Sequence, residues 1–280
     1  MAHRGLLWAA LAAAFAAVQA DAANRVRVRG DLQLTAKGET TGVPLNVLNR
    51  GDTMFDPLLL RVYVEAAPHE QTQVVAQFLY NDALRSSFTT FSAFVLHEMI
   101  GDGALYAQAG KIPNPFGDYV AHAFDPHRTL SGVPLIWGHH TTYLSGTPPA
   151  NVDELLAVRG HGQSGFMGYP GDPSGFLRRG MPVLYAVCYD LGAGLVGAKG
   201  DWEYRAAVTQ GSPGAPLPYV DDSNDEKGFM GRFGWSPDPA LRLGVSGGTG
   251  SPHPDDVGAF LTDGSEPEEY DQWVGGGDAA

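Results

Sequence analysis

Nine stretches of this chain alternate polar and apolar residues with a period of two, and the connections between them alternate just as regularly between short and long. The clearest stretch is Arg25-Val26-Arg27-Val28-Arg29-Gly30-Asp31-Leu32-Gln33-Leu34. Successive side chains of a strand point to opposite faces, so this pattern specifies a strand with one wet and one apolar face. In 58–66, Leu60, Val62, Val64 and Ala66 oppose Arg61, Tyr63 and Glu65; in 73–81, Val74, Ala76, Phe78 and Tyr80 oppose Gln73, Gln77 and Asn81. Val187, Tyr189, Leu191, Ala193 and Leu195 share a face, and Trp202, Tyr204, Ala206 and Val208 oppose Glu203, Arg205 and Thr209. Phe229, Gly231, Phe233 and Trp235 oppose Met230 and Arg232; Leu241, Leu243 and Val245 oppose Arg242 and Ser246. Stretches 91–99 and 104–112 also read as strands, with less regular faces, and 23–280 shows no amphipathic helix.

Four connections are tight and carry turn-forming residues: Ala67-Pro68-His69-Glu70, Gly101-Asp102-Gly103, Lys199-Gly200 and Ser236-Pro237-Asp238-Pro239. The others, 36–54, 82–90, 113–180 and 210–226, are long. A soluble sandwich has no reason to keep this order. An outer-membrane barrel needs it, with short turns at the periplasmic end and longer loops outside. The expected fold is therefore all-β, an antiparallel up-and-down transmembrane β-barrel. Trp202 and Trp235, beside two of the short turns on the apolar face, fit an interfacial aromatic girdle.

The N-terminus agrees with that compartment. Met1-Ala2-His3-Arg4 is basic, Leu6 to Val18 is almost wholly apolar, and Ala20-Asp21-Ala22 offers small residues for cleavage. This is the plan of a secretory signal over 1–22, with an apolar run shorter than the roughly 20 residues of a spanning helix. Residues 23–280 are then the barrel domain, with a long loop at 113–180. A single cysteine, Cys188, leaves no internal disulfide. A net charge of −13 excludes nucleic acid as a partner.

At Ala109-Gly110-Lys111-Ile112-Pro113-Asn114-Pro115-Phe116-Gly117 the chain resembles bacterial outer-membrane porins, loosely those of the phosphate-selective type. Gly132-Val133-Pro134-Leu135-Ile136, the strand pair 186–209 running into Gln210-Gly211-Ser212-Pro213, and Gly231-Arg232-Phe233-Gly234 are similar too. The resemblance covers most of 24–250. It implies a passive diffusion channel for small hydrophilic solutes, seated in outer-membrane lipid, with homo-oligomers allowed and no cofactor or enzymatic activity. It also implies truncation at the C-terminal side. Barrels of this kind end on a strand with a terminal aromatic, whereas nine strands are counted here and 250–280 reads as a polar tail ending Gly275-Gly276-Gly277-Asp278-Ala279-Ala280.

If the apolar faces meet lipid, the opposite faces line the pore. Arg25, Arg27, Arg29, Arg61, Glu65, Glu203, Arg205, Arg232 and Arg242 fall there, together with Asp31 and Asp190. The excess of arginine predicts a weak anion preference, unless arginines and carboxylates pair off across strands. Two other functions fit the pattern: a non-channel barrel (adhesin, receptor or scaffold) and a soluble periplasmic β-sandwich that binds a ligand.

Motifs with chemistry in them resolve more simply. Gly192-Ala193-Gly194-Leu195-Val196-Gly197 has the dinucleotide spacing but lies inside an alternating stretch, not between a strand and a helix. His122, His127, His139, His140 and His161, near Asp118, Asp125, Asp153 and Glu154, hold no recognised ligand spacing. The acidic run 221–228 lacks the sixth-position Gly and the twelfth-position Glu of a calcium loop. Ser164 is not in a nucleophile elbow, because Phe166 stands where Gly is needed. No catalytic residue and no metal site is assigned.

Overall fold

The computed structural model describes residues 26–33, 59–81, 88–122, 135–141, 143, 145, 149–158, 163–164, 181–185, 189–217, 224–238, 240–260, 262, 264 and 266–279. Residues 1–22, expected as an export signal, lie outside them, as do Arg25 and Cys188.

Ten strands form one antiparallel sheet: β1 (Val26–Gln33), β2 (Leu59–His69), β3 (Thr72–Asn81), β4 (Thr89–Ile100), β5 (Leu105–Pro113), β8 (Tyr189–Lys199), β9 (Trp202–Thr209), β10 (Gly228–Asp238), β11 (Leu241–Gly250) and β12 (Gln272–Ala279). Their order in the sheet is their order in the chain, and the sheet is open between β1 and β12. The two-residue strands β6 (His139–His140) and β7 (Gln163–Ser164) pair separately within the long β5–β8 connection. Helix among the described residues is confined to short pieces, such as Val152–Val158, whose first turn is capped where Asn151 Oδ1 accepts from Glu154 N at 3.0 Å.

The expected strands are all present, and one is added. Residues 272–279, expected as part of a polar tail, pair with β11 from Gly250↔Gln272 to Leu243↔Ala279. Their alternation is hidden in the sequence because three consecutive glycines supply no apolar side chain to mark a face. The meander therefore has ten described strands, not nine, and 251–271 is a fifth long connection.

All four short turns fall at one end of the sheet, as a meander requires. At Gly101-Asp102-Gly103-Ala104, Asp102 and Gly103 take φ of 62° and 73°, and Ala104 N returns to Gly101 O at 3.3 Å. Positive φ at both central residues is the geometry that follows strand twist, and Asp-Gly adopts it at little cost.

The register sorts the faces. One lateral row runs Val26, Ala66, Val74, Val95, Ala109, Ala193, Val208, Phe229, Thr249, Trp273 across the whole sheet. It contains no charge. It starts at the short-turn end of β1 and finishes at the long-connection end of β12, so the strands are progressively staggered. Phe229 is 54% and Trp273 76% exposed, so this apolar face is open. Trp202 stacks on Phe233 with ring centroids 5.0 Å apart and lies 5.9 Å from Trp235, an aromatic group at the short-turn end. Lys111 is a cationic departure from this face, in register with Ala93 and Leu191, with its Nζ donating to Thr90 O at 2.9 Å; Lys199, in register with Trp202 at the short-turn end, is another.

The opposite face is concave. Tyr189 Oη donates to Gln77 Oε1 at 3.1 Å, although β4 and β5 lie between their strands. In a flat sheet those strands would stand about 14 Å apart. Tyr189 thus departs from the open apolar face expected for it. It is buried at the start of β8, edge-on to Phe91 at 4.7 Å, where a phenol needs a hydrogen-bond partner.

Candidate functional site

The concave face carries those charged residues selected by the alternation that are described; Arg25 is outside them. Arg27 faces Glu65, Asp31 faces Arg61, Arg205 faces Arg232, and Arg29, Glu203 and Arg242 share that face by register. Two arginines directly opposite each other repel unless carboxylates intervene. The wall supplies them. Glu203 lies 3.8 Å from Arg205 and hydrogen-bonds Arg232. Asp278 of β12 takes a forked pair from Arg232, Nε at 3.0 Å and Nη2 at 2.6 Å. Arg61 Nε donates to Asp31 at 2.8 Å and its Nη2 to Gln33 at 3.2 Å. Arg29 bonds Glu65, and Arg27 reaches the same carboxylate at 3.9 Å.

Glycine makes room for the most enclosed of these. The Arg232 side chain has no exposed surface. It lies against the backbone of its neighbours: a Cβ on Gly244 would come within 2.4 Å of Arg232 Nη2, and one on Gly234 within 2.5 Å of Glu203 Oε1. Part of the glycine content of this chain is thus explained by the guanidinium it must accommodate.

Two long connections fold onto the same wall. In the β5–β8 connection, Asn114 Oδ1 accepts from Phe116 N at 2.8 Å, and Gly117, at φ 63°, donates its N–H to Ser246 Oγ at 2.9 Å. Asp118 then bridges Arg205 at 3.2 Å and Arg242 at 3.0 Å. Behind it Phe116, Val120, Trp137 and Leu184 form a buried cluster against Val274 of β12. Phe116 faces Gly276, where a Cβ would sit 3.2 Å from its ring. In the β9–β10 connection, the Asp190 carboxylate accepts from Gly211 N at 3.0 Å and Leu217 N at 3.1 Å. Gly214 N donates to Gln272 Oε1 at 2.8 Å, joining that connection to β12.

Asp118 and Asp278 were not among the residues the alternation selected. Asp118 sits in a long loop with no periodicity, and Asp278 follows the glycine run, so neither carries a facial signal. Asp118, grouped by sequence with the histidines as a ligand candidate, is occupied by two arginines. Among the described residues no group of three or more His, Cys, Asp or Glu is placed to hold a metal. The dinucleotide-like glycines lie inside β8, flanked on both sides by antiparallel strands.

The Asp118 clamp predicts a local release. Asp118→Ala removes the carboxylate shared by Arg205 and Arg242, so residues 114–120 should become cleavable by added protease while the strand fragments stay intact. Unchanged protection would show that the apolar cluster alone holds the segment. A search against family models finds none that matches this chain, and a search of curated proteins finds no match either.

Proposed function

We propose that this chain is an outer-membrane β-barrel that passes small hydrophilic solutes by diffusion along a narrow polar lumen. The observation that carries the reading is the uncharged lateral row that spans all ten strands on the open face, backed by a charged concave face. A soluble sheet buries one face and wets the other. This sheet puts its arginines on the concave side and leaves Val, Phe and Trp open, which suits lipid outside and water or polar loops inside. Closure is part of the proposal. The strand number is even and each pairing antiparallel, so β1 and β12 run in opposite directions and can pair. The stagger of the rows is what closing a sheet demands. Lipid also penalises an unpaired edge by several kcal/mol per polar group.

The lumen would be narrow. About eight strands give an interior just filled by side chains, so ten leave little beyond what the inward loops occupy. The arginines are largely matched by carboxylates, which cancels most of the field expected from their number. What remains is local: Arg27 and Arg29, 72% and 60% exposed, share Glu65 near the short-turn end. They support a weak anion preference at that mouth. The full chain in planar bilayers under a salt gradient should show small conductance steps and a reversal potential slightly on the anion side. Arg27→Gln with Arg29→Gln should bring it to zero, and a cation-selective wild type would overturn the preference.

A second reading is favoured by the buried concave wall, where Arg61, Gln77, Ser92, Gln108 and Arg232 are all under a tenth exposed. A barrel filled in this way is a scaffold that displays its long connections, as a receptor or adhesin does. Proteoliposomes that hold the folded protein but swell in no small sugar or amino acid would select it over the channel.

A further inference from the structure

His253 lies in the β11–β12 connection and is 1% exposed. Its Nδ1 is 2.8 Å from Ser145 O. A carbonyl only accepts, so Nδ1 carries the hydrogen, and Nε2 is the acceptor that meets the Tyr143 hydroxyl. The Tyr143 and Tyr270 rings stand edge-on to the imidazole at 5.4 and 6.1 Å. The backbone of the same residue extends the junction, for His253 O accepts from Asn224 Nδ2 at 2.9 Å. Tyr143 and Ser145 belong to the β5–β8 connection and Asn224 to the β9–β10 connection. Tyr143 is itself tied to Met181, whose N–H donates to Tyr143 O at 2.6 Å, while Thr141 N donates to Met181 O at 3.0 Å. One residue thus meets three long connections at the end of the sheet away from the short turns, its imidazole joining β5–β8 to β11–β12 and its main chain reaching β9–β10.

We propose that His253 is an acid-released latch between the β5–β8 and β11–β12 connections, whether or not the lumen conducts. Protonation converts Nε2 from acceptor to donor, so the Tyr143 hydroxyl must turn to accept from it, and it puts a charge into a site with almost no solvent. The titratable groups facing the ring are the phenols of Tyr143 and Tyr270. Of the charged groups in the neighbouring segments, Asp255 accepts from Asp225 N at 3.3 Å, and Lys227 Nζ donates to the carbonyls of 224–226. Among the described residues no carboxylate pairs with the imidazole to stabilise its cation. Burial accordingly lowers the affinity of His253 for a proton, opposed in part by the Ser145 carbonyl, and raises that of Tyr143 for its own.

The sign follows from this depression. The latched form favours the neutral ring, so its stability is complete above the titration of a free imidazole, at about 6.5, and is lost as pH falls below it. Between that point and the depressed value in the latched state, the opening equilibrium should rise about tenfold per pH unit. Hydrogen exchange on the full chain folded in vesicles, corrected for intrinsic rates, reads it at the amides of Thr141 and Met181. Those amides should lose protection from pH 7.5 to 5 while strand amides do not. His253→Gln should abolish the dependence, with the loops either closed or open at every pH. Tyr143→Phe, which removes a bond that the closed, neutral state makes, should move the midpoint upward. Wild-type loop protection that is flat with pH, a His253→Gln variant that keeps the wild-type response, or an unmoved midpoint in Tyr143→Phe would each overturn the latch.

Discussion

Val245→Arg should cost about 2–4 kcal/mol of folded stability in vesicles, the penalty of an arginine near the midplane on a lipid-facing strand. Val245 is 63% exposed, midway along β11, on the open face with Phe233 and Gly277 as lateral neighbours. The same substitution separates the two environments sharply. On a face bathed in water, an exposed valine accepts arginine within about 0.5 kcal/mol. Val95→Arg, centred on β4 and 42% exposed, should repeat the loss on the other half of the sheet. Thr262→Arg, at an exposed position of the β11–β12 connection, should not. Urea titration of the folded, heat-modifiable gel band gives the stabilities. Near-neutral results for both valine variants would remove lipid from the account and favour a soluble sheet.

Asp278→Ala should cost about 3 kcal/mol in the same titration. Removing one partner of a buried, hydrogen-bonded ion pair leaves the other charge uncompensated, at 3–5 kcal/mol. The lower end is expected because Glu203 remains beside Arg232 and Asp278 is itself about a quarter exposed. Gly244→Ala should add a loss of about 1–3 kcal/mol by a different route, since its methyl would enter the space of the Arg232 guanidinium. Gly275→Ala, on the same edge of the sheet but with nothing within 4 Å of a Cβ, should be silent. If Asp278→Ala were as silent as Gly275→Ala, β12 would contribute nothing to the stability of the wall.

Wherever polar and apolar residues alternate, the strand and its faces were readable in the sequence, as in Val26 to Gln33 and Trp202 to Thr209. The face of each arginine in the described strands followed from parity alone, because a one-residue slip would have reversed all of them. Three things could not be read. The glycines of β12 erase the facial signal, so the last strand and its Asp278 were invisible. The capture of Asp118 by Arg205 and Arg242 spans 87 and 124 positions of chain, and nothing local announces it. Tyr189 follows the parity of its strand yet turns to Gln77, because curvature brings a distant strand within reach of its hydroxyl. The expectation of an arginine surplus came from counting residues on faces. The pairing that neutralises most of it depends on rotamers and on an inward loop, which residue counts do not contain.

The sequential order of the strands has a consequence for assembly. Every neighbour in the sheet is a neighbour in the chain, but one junction is unlike the rest: between Pro113 and Tyr189 lie 189 − 113 − 1 = 75 residues. Closing that span costs only about 2 kcal/mol more entropy than closing a loop of seven, since the penalty grows with the logarithm of length. The chain is thus divided into two hairpin arrays, β1–β5 and β8–β12, each built from near-neighbour contacts. Low contact order within each array favours rapid pairing there, and the zipping of β5 to β8 is the step that must wait for a long search.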